Sequence, residues 1–252
     1  MSADAAPTPE ISIDVLDPDT MALWRTVAEV AKRLDDDRMR WCLVGGLMVA
    51  LYAIESGQIA RPTVDIDILG DARQRPSGTE WIAERLRDEL GATPHERSGL
   101  EGERGFRFGV AGQIVDVLAP DGLGRPAMTG HRSQAIPIPG GSQALTRTES
   151  VLIVIDGERV RLRRPTLLGA ILLKARSLAV HSRPEDQRQD LIVLLGLMAD
   201  PRSAAATLKN SERGWLRDIA AALNLGDREL DATIDAARLG TARAAYRLLA
   251  NS

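Results

Sequence analysis

The hydrophobic pattern of this chain of 252 residues changes at Pro165, and that change limits the folds available to it. Before Pro165, short stretches alternate apolar and polar residues, which is typical of strands, and helical patterns lie between them. After Pro165, apolar residues recur every three to four positions, with breaks near 182–184, Pro201, Gly226 and Gly240. The sequence therefore predicts an α+β protein, in which a mixed β-sheet flanked by helices precedes a C-terminal helical part.

The same change suggests a division into an arm and two domains. Residues 1–18 are rich in Ala, Pro and Asp and predict a flexible N-terminal arm. Residues 19–164 then form the mixed α/β domain, and residues 165–252 form the C-terminal helical domain.

Shorter signals predict the elements of the front part. A helix over 20–37 begins at a capping residue, Thr20, and a helix over 80–90 ends at Gly91. The region 121–142 is rich in Pro, Gly and Ser and predicts loops. The remaining predictions are strands at 41–44 and 63–69, a helix at 47–55, and hairpins pairing 104–110 with 113–118 and 151–155 with 159–163.

Composition argues against several protein classes. The hydrophobic fraction of 44% and the charged fraction of 27% are typical of a globular protein, and no apolar run approaches the roughly 20 residues that span a bilayer. We therefore expect no membrane segment. The lone cysteine, Cys42, cannot form an internal disulfide and lies in an apolar run, which favours a core residue over a reactive thiol. A cytoplasmic protein is the resulting expectation.

The charge is unevenly distributed along the chain. A net charge of −3 argues against a surface that is basic throughout. One stretch is nevertheless strongly basic, and it indicates either a solvated face or a cationic wall around a polyphosphate or an RNA end. Its basic residues are Arg159, Arg161, Arg163, Arg164, Lys174, Arg176, Arg183 and Arg188.

Two carboxylates stand out in the predicted strand 63–69. Asp65 and Asp67 alternate with apolar residues, so their side chains project from one face of the strand about 7 Å apart along the chain. Like charges this close repel unless a cation lies between them, and Mg²⁺ prefers carboxylate oxygens. The pattern indicates a metal site, although exposed strand faces also carry acids that bind no metal.

Two further features fit such a site. Asp116 is a single acid in the apolar strand 113–118, and a third carboxylate on a neighbouring strand could complete a two-metal centre for phosphoryl displacement. Gly45 and Gly46 separate a strand from a helix, where glycine lets the backbone approach a bulky anion. Taken singly, Asp116 is compatible with a surface residue and the glycines with an ordinary tight turn.

In this order the motifs resemble the nucleotidyltransferase superfamily that includes DNA polymerase beta, and more narrowly the AbiEii/MenT-like nucleotidyltransferase toxins of bacterial toxin–antitoxin systems. The segment 43–46 reads Leu-Val-Gly-Gly, and 61–67 is similar to the family motif Arg-x-Ser/Thr-x-Asp-x-Asp. The segment 172–176 resembles the family's lysine motif. Asp186 and Asp190 resemble its acidic motif, and we favour Asp190 for that role.

The resemblance implies a nucleotidyltransferase-type fold and a role for each matching position. Asp65, Asp67 and Asp116 would bind two Mg²⁺ ions, with Mn²⁺ as an alternative, and Asp116 would also help to deprotonate the attacking hydroxyl. Asp190 would orient Lys174 or a metal-bound water. The implied nucleotide-binding residues are Gly45, Gly46, Arg61, Thr63 and Lys174. For Arg61 a salt bridge to a neighbouring acid is an equal alternative, and for Lys174 the alternative is a solvated helix lysine.

The implied activity is transfer of a nucleotide from an NTP to an acceptor hydroxyl, with pyrophosphate released. The family's acceptor is tRNA, at its 3′ end, which implies a toxin with a cognate antitoxin protein as a further partner. Two alternatives keep the fold: a nucleotidyltransferase acting on a small molecule such as an antibiotic, and a nucleotide-binding module without turnover. The sequence leaves the NTP, the acceptor and the oligomeric state open.

Overall fold

The structure is a computed structural model that describes residues 8–14, 17–58, 61–94, 106–130, 133–180, 184–226 and 236–251. Its strands are β1 (Glu10–Ser12), β2 (Trp41–Val44), β3 (Asp65–Gly70), β4 (Thr93–Pro94), β5 (Arg107–Val110), β6 (Gln113–Pro120), β7 (Ile136–Ile138), β8 (Thr148–Ile155) and β9 (Glu158–Pro165). Its helices are α1 (Pro18–Arg33), α2 (Gly45–Glu55), α3 (Gly78–Leu90), α4 (Gly141–Thr146), α5 (Leu167–Leu178), α6 (Pro184–Gly196), α7 (Pro201–Ala206), α8 (Asn210–Asp218), α9 (Ala220–Leu223) and α10 (Ala236–Asn251). The α+β class predicted from the pattern is confirmed.

The strands form two mixed sheets. In the larger sheet the strand order is β2-β3-β6-β5-β4, and β7 pairs with the far end of β6. Strands β3 and β6 are parallel, whereas β2 and β5, which flank this pair, are antiparallel to it. The smaller sheet has the order β1-β8-β9, with β1 parallel to β8.

The two faces of the larger sheet pack against different helices. Ile66 and Ile68 of β3 lie in a hydrophobic cluster with residues of α1 and α3. Leu69 projects from the same face of β3 as Asp65 and Asp67, and it lies in a second cluster with residues of α5 and α6. Because side chains alternate along a strand, the two aspartates face α5 and α6.

This second cluster joins the two parts of the chain. It contains Met48 and Tyr52 of α2 together with Leu172 of α5, Leu191 of α6 and Leu249 of α10. Apolar burial therefore crosses residue 165, the boundary that the sequence suggests. The division into domains at 19–164 and 165–252 stays a prediction about folding units.

Several local predictions are confirmed. The hairpins β5–β6 and β8–β9 turn at residues 111–112 and 156–157, all four of which have positive φ, as expected for the tight turns that match strand twist. Helix α3 ends at Gly91 in the left-handed conformation, with φ of 61°. Cys42 is fully buried, and burial raises the pKa of its thiol to about 12, as expected for a core cysteine.

The N-terminal region differs from the prediction. Helix α1 begins at Pro18 rather than after Thr20, because the side chain of Asp17 accepts a hydrogen bond from the Thr20 amide at 2.8 Å and caps the helix. The segment 1–18, expected to be a flexible arm, contains β1. Ile11 and Ile13 are buried, so pairing with β8 removes apolar surface from water.

Four other expectations are corrected. The helix predicted at 47–55 begins earlier, at Gly45, and the region 121–142 contains β7 and the start of α4. Helix α10 runs through Gly240, because burial of Leu239 and Ala242 offsets the roughly 1 kcal/mol that a glycine costs inside a helix. Val64 belongs to the strand predicted at 63–69, but it lies before β3 and is 80% exposed. Among the described helices, none has the length and apolar character that crossing a membrane requires.

Candidate functional site

Three aspartates meet on the face of the larger sheet that looks toward α5 and α6. Asp67 and Asp116 lie directly opposite each other in the parallel register of β3 and β6, and Asp65 lies two residues before Asp67 on the same face. One carboxylate oxygen from each residue lies within 4.8 Å of the other two. Three acids from two separate stretches of sequence therefore form one cluster, which we call the acid triad.

The electrostatics of the acid triad favour a bound cation. Burial raises the pKa of Asp67 to about 7, and the neighbouring charges of Asp65 and Asp116 act in the same direction, while Lys174 and Arg107 oppose them. The ionised triad is thus costly near neutral pH unless a positive charge joins it. Carboxylate oxygens at this spacing are the ligand set of a hard divalent cation, so the residues fit Mg²⁺ or Mn²⁺.

Arg107 of β5 also lies at the site, although no motif in the sequence marks it. Its Nε and Nη2 atoms donate to the two carboxylate oxygens of Asp116 at 2.7 and 2.6 Å, and Asp116 is only 5% exposed. The hairpin sequence is enough to predict this contact, because the turn at 111–112 sets the register that places Arg107 opposite Asp116. Each oxygen of Asp116 keeps a lone pair for a metal ion.

The start of α2 lies against the acid triad because it is made of glycine. Gly45 has φ of +69°, and a Cβ atom on it would overlap Oδ2 of Asp67. A Cβ atom on Gly46 would lie 2.6 Å from Oγ1 of Thr63, whose hydroxyl donates to Asp65 at 3.3 Å. The first amides of this 11-residue helix lack intrahelical partners and carry its positive dipole end, so they suit an anion.

A buried ion cluster lies on the facing helices. Asp190 of α6 accepts from Nε and Nη2 of Arg61 at 2.9 and 3.0 Å, and its Oδ2 lies 2.8 Å from Nζ of Lys174 on α5. Lys174 and Asp190 are 3% and 2% exposed, so the solvated-helix alternative for Lys174 is wrong. Asp186 is only half-buried. Arg61 forms the salt bridge that is one of its two alternatives, and its contact with a phosphate stays a prediction.

A cavity of about 360 Å³ opens beside Asp67 and Gly45 and extends between β7, α5 and α6. Most of its wall is apolar. The polar side chains in the wall, apart from Asp67, are those of Lys174, Ser177 and Gln187. The apolar part of the wall consists of Val44, Leu118, Ile136, Pro137, Ile138, Pro139, Leu173 and Val180.

The described residues of the basic stretch do not form the continuous cationic wall that was one of its two interpretations. The arginines of β9 pair with acids away from the acid triad: Arg159 with Glu10, Arg161 with Asp35 and Asp37, Arg163 with Asp37, and Arg164 with Glu55 and Glu149. Arg176 stacks over the ring of Trp215 at 4.9 Å. Arg183 lies outside the described residues. Of the members of this stretch that the structure describes, Lys174 borders the acid-triad cavity.

Comparison with known proteins extends only to the fold. No protein-family model and no curated protein matches the chain. An antigenic nucleotidyltransferase-like protein from Paracoccidioides brasiliensis superposes with a TM-score of 0.51 at 15% identity, covering 90% of this chain and 94% of that one. The chain therefore has a nucleotidyltransferase-like fold. The narrower resemblance to AbiEii/MenT-like toxins stays a prediction.

Two weaker structural matches involve the antibiotic-resistance factor ANT(2'')-Ia. Its solution structure gives a TM-score of 0.41 at 16% identity, over 85% of this chain and all of that one. Its crystal structure in complex with adenylyl-2"-tobramycin gives 0.38 at 14% identity, over 90% and 97% of the two chains. Superpositions at this level support no conclusion about the activity of this chain.

Proposed function

We propose that the chain is a metal-dependent nucleotidyltransferase, which moves a nucleotide from an NTP to an acceptor hydroxyl and releases pyrophosphate. The observation that carries the proposal is the acid triad, whose oxygens lie within 4.8 Å of one another against the glycine start of α2. A site for paired divalent ions next to a site for an anion is what displacement at a phosphate requires.

Asp65, Asp67 and Asp116 would hold the Mg²⁺ ions, with Mn²⁺ as an alternative. Bound there, the ions would neutralise charge that develops on the attacking and leaving oxygens. Arg107 fixes the orientation of the Asp116 carboxylate through two hydrogen bonds. The Asp116 carboxylate can accept the proton of the acceptor hydroxyl. The hydroxyl oxygen then bonds to the α-phosphorus of the NTP, and the bond between that phosphorus and pyrophosphate breaks.

The triphosphate would lie between the start of α2 and Lys174. Lys174 offers a positive charge at the cavity wall, and Asp190 holds its ammonium group in place at 2.8 Å. Asp190 also binds Arg61, so two cations are oriented by one buried carboxylate. The backbone amides of Gly45 and Gly46 would bind the phosphates, and Thr63, which packs against Gly46, would hold Asp65 in place through its hydroxyl group.

The nature of the acceptor is a finer proposal. Transfer to the tRNA 3′ end, and with it a toxin role and an antitoxin partner, rests on the resemblance in 43–46, 61–67 and 172–190. The pairing of the β9 arginines with acids favours the second candidate, a small alcohol, because it leaves fewer cations for a long anionic backbone.

Labelled NTPs with Mg²⁺, incubated with total tRNA or with a panel of small alcohols, test both levels of the proposal. We expect label transfer and pyrophosphate release in one arm, and loss of both in Asp67→Ala. Asp88→Ala, which changes an exposed aspartate of α3, serves as the matched control and should retain activity. Nucleotide binding without pyrophosphate release in either arm would instead indicate a binding module without turnover.

A further inference from the structure

Gln187 is a buried polar residue of the cavity wall to which the proposed mechanism gives no role. It lies on α6, one helical turn before Asp190, and is 7% exposed. Its Oε1 atom accepts a hydrogen bond from Nζ of Lys174 at 3.1 Å. The side chain thus contacts both the cavity and the cation that the proposed function assigns to the triphosphate.

This contact fixes the orientation of the Gln187 amide. A lysine ammonium group has donors and no acceptor, so only the carbonyl oxygen of the amide can face it. The amide nitrogen, Nε2, is therefore left with two hydrogens to donate. Within the described ranges no acceptor pairs with Nε2, so this donor is available to a molecule in the cavity that Gln187 lines.

The surroundings of Gln187 narrow what its donor can meet. The cavity walls around it are mainly Val, Leu, Ile and Pro side chains, and Ser177, one turn after Lys174 on α5, adds the other neutral polar side chain. A volume of about 360 Å³ lies within the range of sites for small organic ligands. A largely apolar cavity with few polar groups suits the uncharged part of a nucleotide better than its phosphates.

We propose that Gln187 is a specificity-determining residue, which donates hydrogen bonds to a carbonyl oxygen or ring nitrogen of the nucleobase held in this cavity. The inference rests on the proposed function and adds that the protein recognises the nucleobase of the NTP. All NTPs share the triphosphate, so Lys174 and the start of α2 cannot distinguish them. A donor held in a fixed position can distinguish the four NTPs. A nucleobase that presents its own donor toward Gln187 leaves both donors unpaired.

Two substitutions separate this role from the support of Lys174. Gln187→Glu keeps an oxygen for Lys174 and replaces the NH₂ donor by a second oxygen. Gln187→Met keeps the approximate size of the side chain and removes both polar groups without adding charge. Gln134→Glu makes the same chemical change at an exposed position and is the matched control.

The readout is the dissociation constant of each of the four NTPs with Mg²⁺, measured by calorimetry so that turnover is not required. We expect the affinity ratio between the best-bound and worst-bound NTP to fall by about tenfold or more in Gln187→Met, and the ranking to change in Gln187→Glu, while Gln134→Glu matches wild type. Equal weakening of all four NTPs would overturn the inference, since that is the result expected from an altered charge beside the shared triphosphate. Unchanged ratios would overturn it as well.

Failure of the proposed function gives a different result. If the ranking of NTP affinities depends on Gln187 but no nucleotide is transferred, the role of Gln187 in nucleobase recognition stands and the catalytic proposal fails. If nucleotide transfer occurs and the ranking of NTP affinities does not depend on Gln187, only the inference fails. If no NTP binds, both fail.

Discussion

Gly45 and Asp67 are so close that a Cβ atom on the glycine would overlap a carboxylate oxygen of the aspartate. Gly45 also has φ of +69°, a conformation that other residues adopt at a cost. The start of α2 and one member of the acid triad are thus in direct contact. The geometry of the proposed metal site therefore depends on a residue that supplies no side chain.

Gly45→Ala should destabilise the protein and abolish its stabilisation by Mg²⁺, because the methyl group displaces Asp67. Gly57→Ala is the matched control: its φ is +64°, and a Cβ atom there would meet nothing within 4 Å. The control should lose only the backbone cost of about 1–2 kcal/mol and keep the Mg²⁺ response. Urea unfolding with and without Mg²⁺ measures both effects, and equal losses in the two variants would contradict the role of the contact.

The metal-free protein should become less stable as pH rises from about 4 to about 7. Burial, together with Asp65 and Asp116, raises the pKa of Asp67 from 3.8 to about 7, so between these values the folded form binds a proton that the unfolded form has lost. This stabilising contribution is present at low pH and is lost as pH rises through about 7. Asp67→Asn cannot titrate and should remove this part of the slope, which urea unfolding in EDTA at several pH values would measure.

Arg107→Ala should lower the free energy of unfolding in EDTA by about 3 kcal/mol, because it leaves the buried Asp116 carboxylate without its cation. The same variant should gain more stability from Mg²⁺ than wild type does, since the ion replaces a lost positive charge. Arg25→Ala removes a similar two-bond pair with Asp156, whose side chains are 55% and 52% exposed, and should have little effect. Thermal unfolding with and without Mg²⁺ compares the three proteins, and an Mg²⁺ gain no larger than that of wild type would count against Arg107.

Asp190→Ala should be far more damaging than Asp186→Ala. Asp190 neutralises both Arg61 and the buried Lys174, so its removal leaves an uncompensated charge at a cost of about 3–5 kcal/mol. Asp186 is half-buried in the first turn of α6, where solvent can replace part of what it contributes. Urea unfolding and NTP binding by both variants test the preference for Asp190. Similar losses of stability and of NTP affinity in the two variants would contradict this preference.

Much of the acid triad could be predicted from the sequence because its signals are local. Alternation along residues 63–69 places Asp65 and Asp67 on one face, and the hairpin turn at 111–112 defines the strand that carries Asp116. That β3 and β6 are neighbours follows from the resemblance to a known fold rather than from alternation itself. The ion pair between Arg107 and Asp116 required the pairing register, which the turn residues contain in principle.

Other features depend on partners that are distant in sequence, and no local pattern shows them. The segment at Ile11 becomes a strand only because β8, about 140 residues later, is there to pair with it. The charge of Arg161 and Arg163 is visible in the sequence, but its neutralisation by the acids that follow α1 is not. Helix α10 continues through Gly240 because of tertiary burial that outweighs intrinsic propensity.

The hydrophobic cluster that crosses residue 165 has a consequence for any attempt to study the halves of this chain separately. A fragment ending at 165 would keep the acid triad but expose Met48 and Tyr52 and lack Lys174. The complementary fragment would carry Lys174 and Asp190 but would lack Arg61 and the acid triad. Cleavage at this point should therefore inactivate the molecule, and mixing the two pieces should restore it to the extent that the shared cluster reassembles.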